Sequence, residues 1–133
     1  MSVRWYSVVV DCLDHTAQAA WWAEALGWKH AYDSAEEIIL VPPHALERGA
    51  SDVPPDRRGP GLVFVPVPEG KTVKNRLHLD LAPRERDDQQ AEVQRLIDLG
   101  ATRVDVGQTE RASWVVLADP EGNEFCVLSP RED

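Results

Sequence analysis

The sequence predicts an α+β fold made of two paired βαβββ modules. A strand with an acidic residue at its end occurs twice, at 5–11 (WYSVVVD) and at 76–81 (RLHLDL). Each is followed by an amphipathic helix that ends in Leu-Gly, at 14–27 and at 88–100, and then by several more strands. Because such sheet-and-helix units bury their apolar faces by pairing, we expect a ligand site between the two sheets.

In the first module, Asp14 is a suitable N-cap and Gly27 a suitable C-terminal residue for the first helix. Strands are predicted at 28–32, 37–41 and 61–67, where Pro66 indicates either an edge strand or an early end to pairing. The proline-rich segment 42–61 is expected to be a lid, a subunit contact or a tolerated surface insertion.

In the second module, Asp87 or Asp88 can cap the helix, and strands are predicted at 102–106, 113–118 and 124–128. The segment DPEGN at 119–123 is typical of a hairpin turn between the last two strands. Trp114 is expected in the helix-facing core. Cys12 and Cys126 lie within or at the end of apolar strands, and they do not have the CxxC spacing of a zinc-binding motif. We therefore expect two buried thiols.

The chain has 133 residues, enough for one domain with a hydrophobic core. We expect a single domain over 1–133, made of modules 3–70 and 74–130. The formal net charge of −9 argues against nucleic acid or an anionic membrane as a partner and favours a cationic or neutral small molecule. No apolar run has the length of a membrane span, and the first residues lack signal-peptide features, so we expect a cytoplasmic protein.

Four segments resemble the vicinal oxygen chelate superfamily, and within it the glyoxalase-like branch that includes bleomycin-resistance-type proteins. They are EALGW, VKNRLHLDL, LIDLGAT and WVVLADPEGNEFCVL, and the match runs from about residue 3 to residue 129. The resemblance implies curved sheets around a cup and a homodimer, with the modules paired within one chain or exchanged between chains. In metal enzymes of the superfamily, four side chains hold a divalent cation.

The positions that the resemblance assigns to these four ligands are Ser7, Val65, His78 and Cys126. Valine cannot bind a cation and serine is a poor ligand, so we expect no intact catalytic metal site. A divalent metal (Zn, Ni, Mn or Fe) is kept as the alternative, because His78 and Cys126 together suit a soft ion. Glu124 lies one pleat nearer the turn than the family's ligand position.

Strand alternation places Arg76, His78 and Asp80 on one face, toward the cup, and Leu77, Leu79 and Leu81 on the other, against the helix. His78 and Glu124 are the catalytic candidates, as an imidazole and a carboxylate for acid–base work. In a purely structural interpretation, His78 hydrogen-bonds to Asp80 or Ser7, and Glu124 pairs with Arg76. The predicted ligand-binding residues are Trp5, Ser7, Val65, Arg76, His78, Asp80, Glu124 and Cys126. Apolar walls are predicted from Val9, Val63, Val65, Val67, Val115 and Leu128.

Three functions follow. The first is a glyoxalase-like protein that binds a small organic molecule in the cup without an intact metal site. The second is a metal-dependent lyase or dioxygenase of the superfamily. The third is a metal-independent lyase or isomerase that uses histidine and a carboxylate. Fold alone does not choose among them.

Overall fold

The computed structural model describes residues 2–47, 49–54, 57–107 and 112–132, and the chain divides into two compact units, Met1–Gly70 and Lys71–Asp133. The first unit contains β1 (Ser7–Cys12), α1 (His15–Leu26), β2 (Lys29–Asp33), β3 (Ile38–Val41) and β4 (Gly61–Pro66). The second contains β5 (Asp80–Leu81), α2 (Gln89–Leu99), β6 (Thr102–Arg103), β7 (Val115–Ala118) and β8 (Glu124–Val127). Each unit therefore has the βαβββ order that the sequence predicts.

The two sheets share one topology. Their strand orders are β1-β4-β3-β2 and β5-β8-β7-β6. In each sheet the first strand runs parallel to the last, and the other neighbours are antiparallel. The repeated order confirms the α+β duplication. Among the described residues, no helix combines the length and apolar character that a membrane span requires.

Both helices begin and end at predicted residues. The Asp14 carboxylate accepts a hydrogen bond from the Ala17 N–H at 3.1 Å, and α1 ends at Gly27 with a left-handed φ of 68°. Of the two aspartates predicted to cap the second helix, Asp88 does so, accepting from the Gln90 N–H at 2.9 Å. Such a cap satisfies a backbone donor that the helix itself leaves without an acceptor.

Replacing Asp14 with alanine is expected to lower the free energy of unfolding by about 1 kcal/mol, because the Ala17 N–H loses its acceptor. Urea denaturation measures this loss. Glu24→Ala is the matched control, since it removes an exposed carboxylate from the same helix and should change stability by no more than about 0.5 kcal/mol. Equal losses in the two variants would show that Asp14 does not act as a cap.

One face of the first sheet forms the core of that unit with α1, which contacts β1, β3 and β4. Phe64, Ile38 and Leu40 on this face have no exposed surface. In the helix, Trp21 and Trp22 are both buried and meet edge to face, with ring centroids 5.0 Å apart. Both tryptophans are therefore core residues of this unit.

In the second unit the pairing of β7 with β8 determines which side chains lie on each face of the sheet. Leu117 lies opposite Phe125, and both are buried. The start of α2 is tied to this sheet by the Gln89 side-chain amide, which donates to the Val127 carbonyl at 3.0 Å. Because side chains alternate along a strand, the intervening Val116 and Cys126 face the opposite side.

Several strand predictions need correction. The strand predicted at 76–81 begins only at Asp80, and Leu77 is 90 % exposed rather than packed against the helix. The option of an edge strand at Pro66 is wrong, since β4 lies between β1 and β3, and the strand instead ends at that proline. Segment 42–61 contains two 3-10 turns, Pro43–Leu46 and Ala50–Asp52, with residues 48, 55 and 56 outside the described residues.

Both cysteines are buried thiols, as predicted. Cys12 ends β1 and is fully buried, and Cys126 lies in the middle of β8 with 7 % exposure. Cys126 lies beside titratable side chains that open onto a cavity, and these side chains form the candidate site.

Candidate functional site

A cleft of about 280 Å³ lies on the accessible face of the second unit's sheet. Its lining residues belong to that unit and come from the segment before β5, from β5, β7 and β8, from residues 106 and 114 between β6 and β7, and from the residue after β8. The lining residues are Lys74, His78, Asp80, Val106, Trp114, Val116, Glu124, Cys126 and Leu128. Four apolar and five ionisable side chains therefore meet in one small volume.

Trp114 belongs to the cleft and not to the helix-facing core, which corrects the sequence prediction. Trp114 lines the cleft together with Val116, and it is 42 % exposed. Val115, predicted as a cup wall, alternates to the opposite face. The register explains both results, because Val116 lies opposite Cys126 across the β7–β8 ladder.

His78, Asp80 and Cys126 form a compact cluster in the cleft. Asp80 and Cys126 are direct neighbours in the parallel pairing of β5 with β8. The His78 Nδ1 atom lies 3.4 Å from Asp80 Oδ1 and 3.9 Å from Cys126 Sγ. Within the part of the chain that the structure describes, this is the one histidine, cysteine and carboxylate group with the spacing of metal ligands.

The surroundings of the Cys126 thiol favour its protonated form. Burial raises the pKa of Cys126, and the charge and hydrogen bonding of Asp80 raise it further, against a smaller opposing effect of Lys74. A thiol with a raised pKa is a weak nucleophile, because the thiolate is the reactive form. The cluster therefore does not resemble an activated cysteine–histidine nucleophile.

Glu124 is engaged through both carboxylate oxygens. Lys71 Nζ donates to Oε1 at 2.9 Å, and the Asn75 N–H donates to Oε2 at 3.0 Å. Burial by itself raises the pKa of Glu124, but the hydrogen bonds from Lys71 and Asn75 favour the carboxylate and hold its pKa below the ordinary value. The expected partner Arg76 is replaced by Lys71.

These bonds give Glu124 a positioning role. Its hydrogen bonds hold the segment before His78 against the start of β8. The Asn75 side-chain amide also donates a hydrogen bond to the Asn123 side chain at 3.1 Å. His78 itself precedes the regular part of β5, so its place depends on this attachment. Its side chain is 40 % exposed and that of Asp80 is 50 % exposed. These two groups are therefore the accessible acid–base pair of the cleft.

A family model described as the glyoxalase-like domain matches residues 7–128. The chain belongs to the glyoxalase-like domain family. This confirms the resemblance that the sequence motifs indicate. No curated protein is significantly similar to this glyoxalase-like protein.

Solved structures of the glyoxalase/bleomycin resistance/dioxygenase family share the fold. An enzyme of that family from Burkholderia phytofirmans is 18 % identical, with 96 % of this chain and 98 % of that chain covered and a TM-score of 0.67. The fosfomycin resistance protein FosX from Listeria monocytogenes, in complex with Mn(II) and 1S,2S-dihydroxypropylphosphonic acid, is 10 % identical, with 98 % and 93 % covered and a TM-score of 0.69. FosX from Mesorhizobium loti is 10 % identical, with 96 % and 92 % covered and a TM-score of 0.66.

The predicted site residues of this glyoxalase-like protein fall into two groups. His78, Asp80, Glu124 and Cys126 line the cleft of the second unit. Arg76 is exposed and does not line it. The remaining three belong to the first unit, where Trp5 is 69 % exposed and donates its indole N–H to the Ser7 carbonyl at 3.2 Å, and Val65 is half-buried on β4. Their role in ligand binding stays a prediction.

Sequence reasoning missed four lining residues and one anchoring residue. The missed lining residues are Lys74, Val106, Trp114 and Val116, and the anchoring residue is Lys71. The sequence could have indicated Trp114 and Val116. In a hairpin closed by the DPEGN turn of this glyoxalase-like protein, both residues fall on the same face of the sheet as Cys126.

Proposed function

We propose that this glyoxalase-like protein binds a small organic molecule in the cleft of its second unit. The observation that supports this is that Trp114 lines the same cleft as apolar side chains and the polar residues His78 and Asp80. An aromatic wall with a few convergent polar groups is typical of small-molecule sites. The wall supplies burial for a ring, and the polar groups orient its substituents.

The size of the cleft restricts the ligand. Pockets for drug-sized molecules have volumes of about 300–1,000 Å³, and this cleft of about 280 Å³ is close to the lower limit. Lys74 and Asp80 offer charges of both signs at the same site. A molecule with one or two rings and a polar group at one end fits this combination.

Turnover is a second candidate, favoured by the contact between His78 and Asp80. A carboxylate beside an imidazole, 3.4 Å away in an accessible cleft, is suited to proton transfer at a bound ligand. Glu124 is less suited than Asp80, because Lys71 and Asn75 already occupy its oxygens. Such an enzyme would be a lyase or isomerase.

Homodimer formation stays a prediction, which a measurement of the molecular mass in solution tests.

Ligand binding can be tested through the indole N–H signals of the five tryptophans in a two-dimensional NMR spectrum. Trp114→Phe assigns the signal of Trp114. A library of small organic fragments, including benzoate, phenol and benzylammonium, is then added to the wild type in the presence of a chelator. We expect at least one fragment to shift the Trp114 signal in a saturable manner.

The buried pair Trp21 and Trp22 in α1 provides the internal control, since their signals should not follow the fragment. His78→Ala should weaken the binding of the same fragment without loss of folded signals. The proposal fails if no fragment moves the Trp114 signal, or if the affinity of every hit is unchanged in His78→Ala.

A further inference from the structure

We propose that His78, Asp80 and Cys126 bind a thiophilic divalent cation, for which Zn²⁺ is the model, within the second unit alone. The three donor atoms are an imidazole nitrogen, a carboxylate oxygen and a sulfur, and all lie within 4.8 Å of one another. The proposal does not depend on the organic ligand, because the cluster is complete without it.

The distances from the His78 imidazole are compatible with a tetrahedral cation, and the three donor atoms all lie within 4.8 Å of one another. Bond lengths of about 2.0–2.1 Å to nitrogen, about 2.0–2.2 Å to oxygen and about 2.3 Å to sulfur place tetrahedral ligands about 3.4 Å (N to O) and about 3.6 Å (N to S) apart. The observed distances from His78 Nδ1 are 3.4 Å to Asp80 and 3.9 Å to Cys126. A charged hydrogen bond between imidazole and carboxylate would be about 2.7–2.9 Å long.

The backbone holds the donors in this arrangement. Asp80 and Cys126 are register partners on adjacent parallel strands, so their side chains leave the sheet on the same side. The Cys126 N–H donates to the Leu79 carbonyl at 2.9 Å, which fixes the chain directly between His78 and Asp80. Small side-chain rotations are therefore enough to bring the three donors around one ion.

The donor set differs from the one that the family resemblance implies. The positions in the first module hold Ser7 and Val65, and Asp80 is not one of the four expected positions. Glu124 is engaged by Lys71 and the Asn75 N–H, so Asp80 is the available carboxylate. Sulfur and imidazole ligands favour Zn²⁺ over the harder Mn²⁺, which prefers oxygen. With three protein donors, one tetrahedral position remains for water or a ligand. The cation binds Cys126 as the thiolate, so the thiol proton is released to solvent on binding.

Cobalt(II) titration of chelator-treated protein tests the site without any assay of activity. Cobalt bound by a thiolate produces a sulfur-to-metal charge-transfer absorption and the visible bands of tetrahedral Co²⁺. We expect both in the wild type at one ion per chain, with loss of both on addition of Zn²⁺ and no displacement by an equal amount of Mn²⁺.

Cys12→Ser is the matched control, because it removes the other buried thiol and should leave the spectrum unchanged. Cys126→Ser should abolish the charge-transfer absorption. Asp80→Asn should weaken binding by at least about tenfold, since even outer-shell partners of metal ligands contribute about 10–100-fold to affinity.

Absence of the charge-transfer absorption in folded wild-type protein would overturn the proposal, as would its persistence in Cys126→Ser. Preference for Mn²⁺ over Zn²⁺ would overturn the assignment of a thiophilic site. Because the fragment experiment is performed in chelator and read at Trp114, failure of the cation site and failure of organic-ligand binding give different results.

Discussion

Replacing Phe64 with alanine is expected to lower the free energy of unfolding by about 3–5 kcal/mol. Phe64 has no exposed surface and lies on β4, an interior strand of the first sheet, beneath α1. The loss combines the transfer free energy of the ring with the cavity that the rigid surroundings leave behind. Urea denaturation followed by circular dichroism measures it. Val9→Ala, on the neighbouring strand at a 56 % exposed position, should cost less than about 1 kcal/mol.

The same experiment on Phe125→Ala tests the predicted single domain. Phe125 is the equivalent buried phenylalanine of the second unit, with 1 % exposure. If residues 1–133 unfold cooperatively, each variant should lower the midpoint of one common transition. If a variant shifts the unfolding signals of one unit and leaves those of the other unchanged, the prediction of a single domain is contradicted. If Phe64→Ala lowers the free energy of unfolding no more than Val9→Ala does, the described core is contradicted.

Replacing Glu124 with alanine is expected to lower the free energy of unfolding by about 1–3 kcal/mol, because Lys71 and the Asn75 N–H lose a shared acceptor at a sparsely exposed site. The exposed fractions of the Lys71 and Glu124 side chains are 19 % and 10 %. Glu92→Ala is the matched control. It breaks an ion pair with Arg95 of the same length, 2.9 Å, whose side chains are 43 % and 38 % exposed.

For the exposed pair, solvent screening should limit the loss to about 0.5 kcal/mol. Double-mutant cycles with Lys71→Ala and Arg95→Ala separate each coupling from other effects of the substitutions. Amide hydrogen exchange at Asn75 adds a local measurement and should accelerate in Glu124→Ala while the β7–β8 amides stay protected. Equal coupling energies for the two pairs would argue against the positioning role of Glu124.

The fold was predictable because its signals are local. Helix caps at Asp14 and Asp88, the left-handed glycine at Gly27 and the hairpin turn before Glu124 each depend on a few neighbouring residues. Their repetition along the chain was enough to indicate two βαβββ units. The structure confirms this organisation.

The candidate site was predictable only in part, because its details depend on distant contacts. Alternating leucines suggested a regular strand from residue 76, but Lys71 and Asn75 are drawn to Glu124, about fifty residues away in sequence, and the strand begins at Asp80. Trp114 was misplaced because the side of the strand that it shares with Val116 was assigned to the helix-facing core. The pairing across the hairpin, which overrides composition, instead directs it into the cleft.

The parallel pairing of β5 with β8 has a consequence for how the protein is made. The antiparallel strands β6, β7 and β8 each pair with a strand that is adjacent in sequence. In contrast, β5 pairs with β8, from which it is separated in sequence by α2, β6 and β7. Closing so long a loop is a slow, late step in folding. During synthesis the imidazole and carboxylate of the cluster leave the ribosome well before the thiol does. The cluster therefore assembles only after β8 has been translated, and a nascent chain that ends before β8 lacks the Cys126 thiol and the cleft residues of that strand.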